Sequence, residues 1–176
     1  MTARNDTGTA RSFDVVVRKR AQEMPLLSRR GLFFAGVAAV LASQSRADAP
    51  AIHVAKGTGC ECCDQWAAHV RENGFVVTDE SLYGTLLIRF KMERGVPQAA
   101  YSCHTGVIDG YVIEGHVPAA DIRRLLSERP DAIGLAVPGM PYGSPGMGPE
   151  SEREAYDVLL IRKDGSMEVF ASYPKA

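Results

Sequence analysis

The chain has 176 residues, 20 Lys and Arg against 21 Asp and Glu, a formal charge of −1 and 45% hydrophobic residues. That length and composition suit one globular domain and exclude a wholly disordered chain. The near-zero charge gives no reason to expect nucleic acid as a partner, and no apolar run reaches the ~18–20 residues that a spanning helix needs.

The charge is an average over two unlike parts. Residues 1–47 hold eight basic and three acidic side chains, leaving 12 basic and 18 acidic in residues 48–176, so the first part carries +5 and the second −6. Ser28-Arg29-Arg30-Gly31-Leu32-Phe33 runs into apolar residues up to Ala42 and then into small ones, the pattern of a bacterial signal peptide. The paired arginines resemble a twin-arginine signal, although Leu32 stands where Phe is usual. Cleavage is expected after Ala47, because Pro50 directly after Ala49 disfavours the other small-x-small site. Met24 is an alternative start that leaves a signal of ordinary length. Residues 48–176 are therefore expected to form a single periplasmic domain, with the membrane touched only through the uncleaved signal.

In that domain Ile52–Ala55 reads as a strand stopped by Gly57 and Gly59, and Cys60-Glu61-Cys62-Cys63 follows at once. Asp64–Asn73 reads as a helix with Trp66, Ala67 and Val70 on its apolar side. Phe75–Thr78 is a second strand. Leu82–Glu93 is a second helix, expected to bury Leu82, Leu86, Leu87 and Phe90. Val96-Pro97 marks a break at a position suited to a cis peptide bond. Thr105–Ile108 and Tyr111–Glu114 make a hairpin about Asp109-Gly110. A third helix runs from Val117-Pro118 through Ile122, Leu125 and Leu126 to Arg129. Gly134–Pro149, with five Gly and four Pro in 16 residues, is expected to be loop. Asp157–Arg162 and Met167–Ala171 close the chain as a hairpin about Asp164-Gly165. A strand leading into a Cys-bearing turn and then a helix predicts a thioredoxin-like α/β fold, with a central mixed sheet flanked by helices.

The chemistry concentrates in the cysteines. Three of the four lie in one turn, and Cys103 stands beside His104. Cys60 and Cys63 form a C-x-x-C before a helix, where the helix N-terminus favours the thiolate. A thiolate is both nucleophile and metal ligand, so Cys60 and Cys63 are also candidates for dithiol redox chemistry. A third cysteine in the turn favours a thiophilic ion, with Cu(I) and Zn(II) as the leading ions. Structural disulfides, with Cys62 or Cys63 bonded to Cys103, are the alternative in an oxidising compartment. His104, His116, Met140 and Met147 complete the candidate ligand set, since thioethers bind Cu(I) well and Zn(II) poorly. His53 and His69 are assigned to structure, and Glu150, Glu152 and Glu154 to a solvated face. Phosphate-loop, G-x-S-x-G, H-E-x-x-H and dinucleotide-fingerprint motifs are absent.

Gly59-Cys60-Glu61-Cys62-Cys63 with Trp66, Gly95-Val96-Pro97, Ser102-Cys103-His104-Thr105, Gly110 through Pro118, and Gly134 through Met147 closely resemble the CopG-type copper-resistance family. The resemblance covers roughly residues 51–172. It implies a thioredoxin-like domain of the bacterial envelope. It also implies copper, in one ion or a multinuclear Cu(I) cluster, at Cys60, Cys62, Cys63 and Cys103, with His104, His116, Met140 and Met147 as further motif positions. A role in converting Cu(I) and Cu(II) is implied too, alongside other periplasmic copper-handling proteins as partners. No cysteine departs from the pattern. A thiol-disulfide oxidoreductase using Cys60 and Cys63 is the rival reading.

Overall fold

A computed structural model describes residues 49–176. The export signal and its cleavage after Ala47 lie outside the described residues. Seven strands form one sheet in the order β2-β1-β3-β4-β5-β6-β7. In chain order they are β1 (Ala51–Gly57), β2 (Val76–Leu82), β3 (His104–Ile108), β4 (Tyr111–Glu114), β5 (Ala132–Ala136), β6 (Tyr156–Arg162) and β7 (Met167–Tyr173). Three helices accompany them, α1 (Glu61–Glu72), α2 (Thr85–Glu93) and α3 (Ala119–Glu128). β1 pairs parallel with β2 and antiparallel with β3, and β3 pairs antiparallel with β4. β5 then joins parallel to β4, and the β6–β7 hairpin extends the sheet. The 2-1-3-4 half, with its helix between two parallel strands, is compatible with a thioredoxin-like layout.

The main core lies where α1 and α3 cover the sheet. Trp66 and Val70 of α1 and Ile122 and Leu125 of α3 pack there with Ile52, Val54, Ile113 and Leu135. Burying a side chain of this size contributes about 1.5–3 kcal/mol. Trp66 also donates its indole N–H to the Val117 carbonyl at 2.9 Å, so its single polar atom is satisfied inside the core. The Asp109-Gly110 hairpin forms as expected, both residues taking the positive φ that a tight two-residue turn requires.

Several expectations need correcting. α1 starts at Glu61 rather than Asp64, which places Cys62 and Cys63 in its first turn and Cys60 at its N-cap. The Val96–Pro97 bond is trans, since the described residues contain no cis peptide; Pro97 leads into a short 3₁₀ turn at Gln98–Ala100. The residue that faces the cysteine turn is Cys103. Part of the expected Gly/Pro loop is strand β5, buried between β4 and β6. Its apolar run, between Asp131 and Pro138, is too short for periodicity to reveal it. The largest departure is α2. Leu86 is 53% exposed, and the residue that α2 buries is Lys91. The sheet beneath α2 presents Thr105 and Glu114, and a cation suits that surface better than leucine does.

Candidate metal centre

Cys60 caps α1 without a side-chain hydrogen bond, and its carbonyl accepts the Asp64 N–H at 3.2 Å. Cys62 and Cys63 leave the first helical turn in different directions. Cys63 is fully buried and disulfide-bonded to Cys60, with the two Cα atoms 5.3 Å apart. Cys62 and Cys103 are free thiols. The alternative pairing of Cys62 or Cys63 with Cys103 therefore does not occur. Cys62 Sγ lies 3.6 Å from Cys60 Sγ and 3.8 Å from Cys103 Sγ. A turn at the helix N-terminus thus meets a residue delivered from the edge of β3.

Two imidazoles converge on Cys103. Its sulfur is 3.2 Å from His104 Nδ1 and 3.1 Å from His116 Nε2. Both rings are fully buried. Donor atoms of Cys60, Cys62, Cys63 and Cys103 lie within 4.8 Å of one another, as do those of Cys103, His104 and His116. Cys103 belongs to both groups. Neither contains a carboxylate, so the donor set is soft sulfur with borderline nitrogen and fits a thiophilic ion rather than Mg²⁺ or Ca²⁺.

The supporting contacts decide how these rings present themselves. His116 Nδ1–H donates to the Pro145 carbonyl at 2.8 Å. That bond fixes the tautomer and turns the bare Nε2 toward Cys103, the way outer contacts orient metal-binding histidines. Burial holds the His116 imidazole below its usual range, against the pull of the Pro145 bond, and so keeps it neutral. His104 is held well below its usual range by burial first, then by competition with the second ionisable imidazole, His116, and by the charges of Lys91 and Lys56. Its Nε2 is the one buried side-chain nitrogen or oxygen among the described residues without a hydrogen-bond partner. The ring packs against Trp66 at a tilt of 40°, with 4.4 Å between centroids. Burial, with the neighbouring Cys62 adding to it, pushes the Cys103 thiol up to about 12.

The Gly/Pro loop reaches the site through its main chain. Beyond the Pro145 carbonyl, Gly146 rests on the first turn of α1 so closely that a Cβ would lie 2.6 Å from Trp66 N and 2.9 Å from the Cys62 carbonyl. Met140 is 54% exposed and Met147 half-buried. His53 bonds to Thr78 and Glu80 on the exposed side of β1 and β2. His69 accepts the Ala119 N–H at 3.2 Å, tying the end of α1 to the start of α3. Glu150, Glu152 and Glu154 are exposed.

A buried polar cluster stands behind Cys103 that sequence reading did not single out. Lys91 Nζ donates to Glu114 Oε1 at 2.6 Å and to Thr105 Oγ1 at 2.8 Å. Thr105 in turn donates to Glu114 Oε2 at 2.7 Å, and the Ser102 N–H donates to Glu114 Oε1 at 2.7 Å. Burial raises the Glu114 carboxyl while Lys91 pulls it back down. The cluster fixes residues 102 and 105, on either side of Cys103 and His104. Glu114, the charge that ends the apolar strand β4, was its available signal; Lys91 sits among the charges Arg89 and Glu93 of α2 and did not stand out.

Comparison with known proteins follows the same residues. The family model described as "Protein of unknown function, DUF411" matches residues 100–147, which hold Cys103, His104, His116 and the Gly/Pro loop. Two solved structures, both described as copper resistance protein CopG (form 1 and form 2), are 48% identical to this chain with a TM-score of 0.66. The matches cover 70% and 71% of this chain and 97% and 98% of theirs. The chain belongs to the CopG copper-resistance family. No curated protein matches it in sequence comparison.

Proposed function

We propose that this protein binds copper in the periplasm as part of copper resistance, holding Cu(I) through Cys60, Cys62, Cys63 and Cys103 and interconverting Cu(I) and Cu(II). Copper here is cargo or substrate. The observation that carries the reading is the meeting of two donor groups at Cys103, one of sulfur only and one of sulfur with two imidazoles. Thiolates suit Cu(I), and imidazole accepts either oxidation state. Two groups sharing one cysteine also support more than one ion per chain. His104 and His116 act as nitrogen donors, and Met140 and Met147 would add thioethers from the loop.

Kinship with proteins named copper resistance proteins supports copper over zinc. Export by the twin-arginine-like signal would put the domain where envelope copper is handled, alongside other periplasmic copper-handling proteins. A thiol-disulfide oxidoreductase is the second reading, favoured by the Cys60–Cys63 bond. The test is an anaerobic titration of the fully reduced protein with Cu(I) against a chromophoric chelator. We expect more than one ion per chain held against the chelator, and at least a tenfold loss of affinity in Cys103→Ser. Unchanged affinity in Cys103→Ser would contradict the shared-cysteine site.

A further inference from the structure

We propose that the four cysteines divide by role: Cys60 and Cys63 are a dithiol–disulfide couple that supplies electrons to Cu(II), while Cys62 and Cys103, with His104 and His116, keep the metal. The proposal rests on the copper reading above and assigns the residues behind its redox step.

The geometry separates the two pairs. Cys60 and Cys63 are bonded, whereas Cys62 and Cys103 remain free thiols with their sulfurs 3.8 Å apart. Closing the Cys60–Cys63 bond leaves the second donor group intact. Cys103 still faces His104 Nδ1 and His116 Nε2 at 3.2 and 3.1 Å, and Cys62 still faces Cys103. Oxidation of the couple therefore reduces the sulfur donors from four to two without emptying the site. Two thiols and two imidazoles hold copper in either oxidation state. The pair also has the asymmetry that thiol exchange needs. Cys60 is the half-buried sulfur at the helix N-cap, and Cys63 is fully buried. An incoming thiolate reaches Cys60 and expels Cys63, whose position in the first turn of α1 favours the leaving thiolate.

The step balances. Two S–H bonds break at Cys60 and Cys63 and one S–S bond forms. Two protons leave to solvent, and two electrons reduce two Cu(II) to two Cu(I). A dithiol reductant of the envelope restores the couple by exchange at Cys60.

The test begins with fully reduced, metal-free protein mixed anaerobically with excess Cu(II). Cu(I) is read with bicinchoninate, and the remaining thiols are alkylated and mapped by mass spectrometry after copper is removed. We expect two Cu(I) per chain, a single Cys60–Cys63 bridge, and Cys62 and Cys103 both alkylated. Protein oxidised beforehand at Cys60–Cys63 should still bind copper, and His116→Asn should weaken that binding at least tenfold. In Cys62→Ser the bridge and the two electrons should persist while copper is held less tightly. A Cys62–Cys103 bridge, or disulfide-form protein that holds no copper, would overturn the division of roles even where the reduced protein binds Cu(I). Failure of the reduced protein to bind Cu(I) at all would instead overturn the copper reading itself.

Discussion

His116 presents its Nε2 to Cys103 because a backbone carbonyl of Pro145 occupies its other nitrogen. That arrangement depends on two glycines in close approaches, Gly146 against α1 and Gly115 against Ser102 and Val137. Gly115, at φ 72°, lies where a Cβ would stand 2.5 Å from Ser102 Oγ and 2.7 Å from the Val137 carbonyl. Gly115→Ala is expected to cost about 1–3 kcal/mol, from the left-handed backbone and the displaced Ser102 together. Urea unfolding measures the cost. Because Trp66 is the sole tryptophan and packs against His104, its emission reports whether the site shifts as well. The ligand types were legible in the sequence, since clustered Cys with adjacent His has few other uses. The Pro145 carbonyl was not, because any residue offers a carbonyl and only the fold aims one.

α2 and the paired strands β3 and β4 carry the second feature that sequence pattern concealed. Reading leucines at helical spacing put the buried face of α2 on Leu86, which the structure leaves half exposed. Lys91 is buried instead, against Glu114. Removing one partner leaves a buried charge unmatched, which typically costs about 3–5 kcal/mol, whereas replacing both with apolar groups costs far less. Glu114→Leu is therefore expected to destabilise by about 3 kcal/mol or more. Adding Lys91→Met should recover much of that loss in a double-mutant cycle measured by chemical denaturation. The double variant also leaves Ser102 N–H without its acceptor, so its Cu(I) affinity should stay below wild type after stability recovers. The hairpins and α3 were legible because their turn residues and apolar periodicity agree. β5 was hidden by its brevity and its glycine.

At the scale of the whole molecule, the sheet brings a helix N-terminus, a strand edge and a long loop to one place, and α1 and α3 are tied together by His69. Burial lowers the His69 pKa against the opposing pull of Glu72 and Glu150, and the neutral ring accepts the Ala119 N–H. The unfolded chain then takes up a proton near the ordinary histidine value of about 6.5 that the folded chain refuses. This contribution is fully present above that value and is lost as pH falls from it through the lowered folded value. Thermal melts between about pH 7.5 and 5 should show a smaller loss of stability in His69→Gln, which keeps an acceptor that does not titrate.

The central claim is that thiols and imidazoles of this one site hold copper together. X-ray absorption at the copper edge of the reduced, Cu(I)-loaded protein tests it most directly. The expected result is a shell dominated by sulfur, with an imidazole contribution that diminishes in His116→Asn. A shell of oxygen and nitrogen without sulfur would contradict it.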